Sequence, residues 1–155
     1  MVEEKLKGHD LFALMTPKEV ESLSSACRVA SLKAGQRVYS EGIPASHLCV
    51  LLKGKVELRR PAERDISLLV EDVSEGGVFG VSSLAEGERY LLNAECVEDS
   101  EVLMVESRVL RSILDQNPVA GYATERKISQ IFFKRYVMAM ERLRSVIRVV
   151  ALGLA

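Results

Sequence analysis

The region from residue 28 to about residue 106 consists of short apolar segments separated by glycines. Seven of the ten glycines lie between Gly35 and Gly87. Because glycine adopts the backbone conformations of tight turns at little cost, this spacing indicates many turns. Apolar and polar residues alternate in residues 56–59 and, less cleanly, in residues 66–71, whereas residues 48–52 are apolar throughout. These features predict a mainly β structure of the sandwich, jelly-roll or barrel type.

Two local signals refine this prediction. Thr16 and Glu19 form a capping box with Pro17 between them, a combination that predicts a helix from there to about residue 26. Lys53-Gly54 directly follows the apolar run, and this dipeptide predicts a tight hairpin to the next strand. The β region is therefore preceded by a short helix and is expected to contain at least one hairpin.

The end of the chain predicts a short helix and then a long one. Ser107 is expected to cap the short helix, which Asn117-Pro118 ends near Gln116. Apolar residues of the long helix repeat at steps of four and three, as in a coiled-coil seam: Ile128, Phe132, Tyr136, Ala139, Leu143, Val146 and Val150. Other apolar residues beside this seam are expected to pack on the β region: Phe133, Val137, Met140 and Ile147. We expect the seam to pair two copies of the chain; burial of the helix in its own core is the alternative.

Composition bounds the classes of function. The chain has 155 residues, 48% of them hydrophobic, which is enough for one domain with a full core. Its net charge of −1 is unevenly divided, because residues 118–155 hold seven Lys/Arg and two Glu, a net +5, and leave −6 for residues 1–117. The basic side chains of residues 118–155 do not all share one helix face, so we expect no stripe that follows nucleic-acid phosphates.

Residue types that carry catalysis or bind metals are sparse and scattered. The three cysteines form no C-x-x-C pair, and the only histidines are His9 and His47. We therefore expect no metal, haem, iron–sulfur cluster or other cofactor, and buried thiols in a reducing compartment. No G-x-S-x-G motif is present, so we expect no enzyme. Without a signal peptide or an apolar run of about 20 residues, the sequence predicts a soluble cytoplasmic protein.

Three segments together carry a resemblance to a known family. Residues 33–42 read KAGQRVYSEG and are followed at 48–58 by LCVLLKGKVEL; residues 78–84 read VFGVSSL, and residues 98–103 read EDSEVL. In this order and spacing, and with the long final helix, they resemble the cyclic-nucleotide-binding domains of Crp/Fnr-type transcription regulators. The resemblance covers roughly residues 11–145.

The resemblance implies an architecture and a division of roles. Residues 1–117 would form an effector-binding β-roll of the jelly-roll (double-stranded β-helix) type, with flanking helices. Residues 118–155 would form a dimerisation helix that passes close to the effector pocket. In bacterial regulators of this family a helix-turn-helix domain follows that helix, at about the position where this chain ends, so we expect contact with DNA only through a further domain.

The phosphate-binding cassette departs from the family pattern. Members that bind cyclic nucleotides read F-G-E-x-[SA]-L, then about four residues, then P-R-[ST]-A, where the arginine neutralises the phosphate and the glutamate binds the ribose. Aligned without gaps, the glutamate position is Val81, the proline is Arg89, the arginine is Tyr90 and the Ser/Thr is Leu91. We therefore expect a small effector other than a cyclic nucleotide. A one-residue slip would bring Arg89 to the arginine position, so cAMP or cGMP binding is one alternative, and a ligand-free structural dimerisation module is another.

Two sets of residues are predicted to be functional. The effector-binding set comprises the cassette and two residues of the long helix: Gly80, Val81, Ser82, Ser83, Leu84, Arg89, Tyr90, Leu91, Arg135 and Tyr136. The dimer interface set comprises Ile128, Phe132, Tyr136, Ala139, Leu143 and Val146. The expected partners are a second copy of the chain and a small-molecule effector, with no membrane partner.

Overall fold

Two four-stranded antiparallel sheets form the body of the chain in the computed structural model, which describes residues 1–85 and 87–154. The strands are β1 (Cys27–Leu32), β2 (Arg37–Tyr39), β3 (His47–Lys53), β4 (Val56–Glu63), β5 (Ile66–Val73), β6 (Val78–Phe79), β7 (Asn93–Cys96) and β8 (Ser100–Glu106). The first sheet has the order β1-β8-β3-β6 and the second the order β2-β7-β4-β5. The helices are α1 (Val2–Lys7), α2 (Pro17–Ser24), α3 (Ser107–Gln116) and α4 (Pro118–Gly153), with 3-10 turns at Asp10–Phe12 and Val81–Leu84. This confirms the predicted jelly-roll with flanking helices and a long final helix.

The turn at Lys53-Gly54 is present but does not form the predicted hairpin. Gly54 has a φ of 95°, in the left-handed region that glycine favours. However, β3 pairs with β6 and β8 in the first sheet, while β4 pairs with β5 and β7 in the second. The turn therefore carries the chain from one sheet to the other. A dipeptide shows that the chain turns, but sheet closure decides which strands pair.

Residues 48–52 of strand β3 are all apolar because both faces of the strand are buried over most of this run. Leu48 and Val50 belong to the core between the first sheet and the helices. Cys49 and Leu51 belong to the second core, between the two sheets. All four side chains are at most 1% exposed. A strand between two cores loses the usual polar alternation, which confirms the buried strand predicted from residues 48–52.

One predicted helix cap is confirmed and another is wrong. The hydroxyl of Thr16 accepts a hydrogen bond from the Glu19 N–H at 3.3 Å, and the Glu19 carboxylate accepts one from the Thr16 N–H at 2.7 Å. Ser107, by contrast, is the first residue of α3, and its hydroxyl donates to the buried Ser83 hydroxyl at 2.6 Å instead of capping. Ser107 forms this hydrogen bond to the cassette instead of a helix cap because both hydroxyls are buried and need a partner within the protein.

Helix α4 packs on the body of the chain through a stripe that shares only Ile128 with the predicted seam. Asn117 caps the helix, since its side-chain oxygen accepts from the Ala120 N–H at 3.2 Å. Buried and half-buried residues then follow at steps of four and three: Ala120, Thr124, Ile128, Ile131, Arg135, Met138 and Arg142. Ile128 is 4% exposed and belongs to the chain's own core, so its assignment to the dimer interface is wrong.

The opposite stripe of α4 carries large apolar side chains that contact no other part of the described chain closely enough to be buried. These residues are 47–68% exposed and also repeat at steps of three and four: Phe133, Tyr136, Met140, Leu143, Ile147 and Val150. The prediction that Phe133, Val137, Met140 and Ile147 pack on the β region is therefore wrong. The docked stripe and the outer stripe lie about 135° apart at 100° per residue, and only the docked helix shows which one faces the β-roll.

Candidate effector-binding site

A cavity of about 320 Å³ lies between the β-roll and α4. Strands of the second sheet and the cassette form one wall, and one face of α4 forms the other. The lining residues are Tyr39, Leu58, Arg60, Val70, Gly80, Val81, Ser82, Tyr90, Leu91, Leu92, Phe132, Arg135, Tyr136 and Ala139. The volume is at the lower end of the range for small-molecule sites, about 300–1,000 Å³.

Seven of the ten predicted effector residues line this cavity, from both the cassette and α4. Three do not. Ser83 is buried beneath the cassette against Ser107, and Leu84 packs on the core beside the helices. Arg89 is exposed, and its guanidinium donates to the Gly42 carbonyl at 2.7 Å on the outer side of the loop. The prediction that these three contact the effector finds no support in the geometry of the cavity.

Tyr90, which the gapless alignment puts at the family's arginine position, is turned inward. Its hydroxyl donates to the His47 carbonyl at 2.8 Å and accepts from the His47 N–H at 3.1 Å. Its own backbone is held as well, because the Tyr90 N–H donates to the Ile43 carbonyl at 3.0 Å. The side chain is therefore a fixed, neutral part of the wall, with its hydroxyl committed to β3.

Tyr39 stacks on Tyr90 and extends this wall. The two rings are nearly parallel, with centroids 3.7 Å apart and an interplanar angle of 9°. A Cβ added at Gly80, whose φ is 71°, would lie 3.4 Å from both rings and 2.9 Å from the His47 carbonyl oxygen. The ring pair thus packs directly on the start of the cassette turn. Burial raises the pKa of both phenols, so both hydroxyls stay protonated at neutral pH.

Arg135 joins α4 to the wall opposite it. Its guanidinium forms an ion pair with the Glu71 carboxylate on β5 and donates to the Val78 carbonyl on β6 at 3.0 Å. The side chains of the pair are only 13% and 17% exposed. Arg135 was predicted from the family's geometry to lie at the pocket, and it does, but its charge is neutralised within the chain. It therefore connects the helix to the strand that leads into the cassette.

Several lining residues were not predicted from the sequence, and Arg60 is chemically the most distinctive of them. Its side chain is 53% exposed, pairs with the Glu41 carboxylate at 3.3 Å and donates to the Leu91 carbonyl at 3.3 Å. The alternation of β4 places Leu58 and Arg60 on one face, so a strand register would have indicated that the two lie together. Tyr39 and Val70 carried no comparable signal, since their proximity arises from the pairing of distant strands.

A larger groove of about 670 Å³ lies elsewhere, between Leu14 and the first turns of α4. It contains no cassette residue, so the smaller cavity is the candidate site. Among residues 1–85 and 87–154, no group of three His, Cys, Asp or Glu side chains could hold a metal ion. None of the helices described in that part of the chain is both long and apolar enough to cross a membrane.

Solved structures share this architecture. The sensor domain of the transcriptional regulator DNR from Pseudomonas aeruginosa superposes with a TM-score of 0.74 at 21% identity, over 87% of this chain and 96% of that one. The catabolite activator protein from Thermus thermophilus gives 0.67 at 21% identity, over 88% and 62%. The cAMP-bound regulatory domain of a Toxoplasma gondii PKA gives 0.68 at 16% identity, over 82% and 48%. At these identities the similarity establishes the fold.

The family is shown by the sequence match itself. No curated protein matches the chain significantly. The family model of the cyclic nucleotide-binding domain, however, matches residues 29–117, which is more than half of the chain and includes the β-roll from β1 through α3. Because that segment contains both the cassette turn and the strands that line the cavity, the chain belongs to the cyclic nucleotide-binding domain family.

Proposed function

We propose that the chain is a regulatory sensor module that binds a small effector other than a cyclic nucleotide and pairs with a second copy through α4. One observation carries this proposal: the cavity is built jointly by the cassette and α4, and its wall contains the neutral Tyr90, whose hydroxyl is bonded to His47. An occupant would touch the β-roll and the helix at once. The open cavity favours a sensor over a ligand-free dimerisation module, and the absence of grouped catalytic side chains among its described lining residues favours regulation over catalysis.

The contacts of Tyr90 oppose cyclic-nucleotide binding for a physical reason. A desolvated phosphate needs a cation, and leaving such a charge unpaired costs about 3–5 kcal/mol. The Tyr90 hydroxyl is engaged with His47, and Arg89 lies on the outer side of the loop at Gly42. Val81 has no side-chain group to bind a ribose hydroxyl. The two guanidinium groups that line the pocket, those of Arg60 and Arg135, are each paired with a carboxylate, so a phosphate would find no unpaired cation among the described lining residues.

Thermal unfolding with about 1 mM cAMP or cGMP tests this part of the proposal. A ligand present at about 100 times its Kd stabilises a protein by about 2.7 kcal/mol, and each kcal/mol shifts the Tm by about 2–4 °C in a chain of this size. We expect no shift with either nucleotide. A reproducible shift of several degrees, abolished by Arg89→Ala, would show that Arg89 moves into the pocket and would overturn the proposal.

The outer stripe of α4, defined by Phe133, Tyr136, Met140, Leu143, Ile147 and Val150, supports pairing with a second copy. Its steps of three and four are those of a two-helix seam, and all six side chains are 47–68% exposed. Monomeric soluble proteins rarely expose a contiguous apolar surface of this kind. A second α4 supplies the same repeat, so the stripe is self-complementary, as a two-fold interface requires.

Sedimentation of paired variants tests the seam. Leu143→Arg places a charge within the outer stripe, whereas Ser145→Arg places the same side chain two residues further on, off the stripe, at another exposed position. We expect the wild-type chain and Ser145→Arg to sediment as dimers at about 100 μM, and Leu143→Arg as a monomer of unchanged helical content. A dimeric Leu143→Arg variant, or a monomeric wild-type chain, would refute the proposed interface.

Arg135 connects the two proposed activities. An effector that contacts Phe132 and Tyr136 would favour one orientation of α4 over another, because the same helix turn is tied to Glu71 and Val78 through Arg135. An effector shifts such an equilibrium only by its difference in affinity for the two states. The outcome would be a change in the seam, transmitted to a further domain such as the DNA-binding domain of Crp/Fnr-type regulators.

A further inference from the structure

The charges that line the effector cavity are already paired. Of the described residues that line it, only Arg60 and Arg135 are charged. Glu41 neutralises Arg60, and Glu71 neutralises Arg135. Each guanidinium also donates to a backbone carbonyl, that of Leu91 or Val78. The cavity therefore presents no net charge to an occupant.

This pairing selects against charged effectors. An anion would have to displace the carboxylate of Glu41 or Glu71, or else remain unpaired next to apolar side chains. The second outcome carries the full cost of desolvation. The first leaves a carboxylate without its partner, which costs more at the largely buried Glu71 than at Glu41, whose pair with Arg60 is partly exposed. A cation finds no unpaired carboxylate among the described lining residues. An uncharged molecule avoids both costs.

The walls of the cavity select for a flat ring. Four aromatic side chains contribute to them: Tyr39, Tyr90, Phe132 and Tyr136. Tyr39 and Tyr90 form one rigid stacked pair, while the other two rings come from α4. Aliphatic side chains complete the lining: Leu58, Val70, Val81, Leu91, Leu92 and Ala139. Aromatic faces bind other rings by offset stacking or edge contacts, an interaction that adds to the burial of area.

We propose that the effector is an uncharged aromatic or polycyclic molecule that binds between the Tyr39–Tyr90 pair and the two aromatic side chains of α4. This inference rests on the proposed sensor function and names the chemical class of its ligand. A molecule of two or three fused rings fits a cavity of about 320 Å³. Such a molecule would contact rings on both walls, so its binding could change the position of α4, as a sensor requires.

Three compounds with the same bicyclic ring and different charge test the class. These are neutral 2-naphthol, anionic 2-naphthoate and cationic 2-naphthylmethylammonium, titrated calorimetrically into the full chain at pH 7. We expect 2-naphthol to bind at least tenfold more tightly than either ion. Equal or tighter binding of 2-naphthoate would overturn the inference, because it would mean that Arg60 leaves Glu41 for the ligand. Failure of 2-naphthol to bind would also overturn it.

Paired variants locate the binding. Ala139→Trp fills the cavity from α4, and Ser145→Trp introduces the same side chain at an exposed position outside the lining. We expect a loss of at least tenfold in 2-naphthol affinity for Ala139→Trp and no change for Ser145→Trp. Phe132→Ala, at a residue 47% exposed and therefore tolerant of truncation, should lose about three- to tenfold. If 2-naphthoate binds best and Ala139→Trp abolishes that binding, the cavity is the effector site but the inference that the effector is uncharged is wrong. If no compound responds to Ala139→Trp, the proposed effector cavity itself fails.

Discussion

Removal of the Arg135 guanidinium should destabilise the chain far more than removal of an exposed arginine from the same helix. In Arg135→Met the Glu71 carboxylate, only 17% exposed, loses its ion-pair partner, and the Val78 carbonyl loses a donor. Removing one partner of a buried pair costs about 3–5 kcal/mol, because the remaining charge stays desolvated. For a chain of this size that free energy corresponds to a fall in Tm of about 6–20 °C.

The helix offers a matched control. Arg144 pairs with Glu141 at 3.5 Å, but those side chains are 66% and 64% exposed. Exposed pairs contribute about 0–1 kcal/mol, since water already solvates both charges. Arg144→Met should therefore change the free energy of unfolding by less than about 1 kcal/mol. Urea unfolding followed by circular dichroism, at one fixed protein concentration, measures both variants on the same scale.

A double-mutant cycle separates the pair from the packing of the longer side chain. Glu71→Leu alone should also be strongly destabilising, because the Arg135 charge is then buried without a carboxylate. The double variant Arg135→Met/Glu71→Leu should recover most of the loss, since apolar replacement of both partners of a buried pair is often close to neutral. If Arg135→Met costs no more than Arg144→Met, or if the two single effects simply add, the proposed link between α4 and β5 does not exist.

Three further predictions concern the wall of the cavity and the core behind it. Gly80→Ala would place a new Cβ 2.9 Å from the His47 carbonyl oxygen, whereas Gly35→Ala, also at a positive φ, would place it in open space. The free energy of unfolding should therefore fall by at least about 1 kcal/mol more in Gly80→Ala than in Gly35→Ala. Equal losses in urea unfolding would contradict this close approach of β3 to the cassette turn. Tyr90→Phe removes the hydroxyl from both backbone groups of His47 and should cost about 1–2 kcal/mol in the same assay, whereas no change would mean that water replaces it. Burial raises the pKa of the Cys49 thiol from 9.0 to about 12, so the free energy of unfolding is unaffected by this thiol below pH 9 and falls as the pH rises towards 12. The fall amounts to about 2 kcal/mol by pH 10.5. Cys49→Ala should make the decline of stability with pH less steep, and an unchanged slope would contradict the raised pKa.

Features that depend on neighbouring residues in the chain were predictable from the sequence. The capping box of Thr16 and Glu19 needs only one turn of helix, and the apolar run at residues 48–52 reports burial on both faces of a strand wherever that strand lies. These signals were sufficient to predict the jelly-roll class. The degenerate cassette, inferred from a short motif of fixed spacing that puts Tyr90 at the arginine position, stays a prediction.

The composition of the cavity could be predicted only in part. Gly80, Val81 and Ser82 belong to one short motif, and the family's geometry placed Arg135 and Tyr136 near it. The cassette also supplied Tyr90 and Leu91. The lining residues that it did not supply include four from strands separated widely in the sequence: Tyr39, Leu58, Arg60 and Val70. Their side chains meet because β2, β4 and β5 belong to one sheet, and no local pattern records which strands become neighbours.

The sequence by itself determined that this chain has turns at the glycines of its β region, a strand buried on both faces and a final helix with apolar side chains on more than one side. Only the tertiary structure decided that Lys53-Gly54 crosses between sheets, that Ile128 lies in the chain's own core, and that Phe133 and Met140 face outward. The physical reason is the same in each case. Local propensity and periodicity depend on neighbouring residues, whereas partner choice and the orientation of a helix depend on which distant surfaces exclude water together.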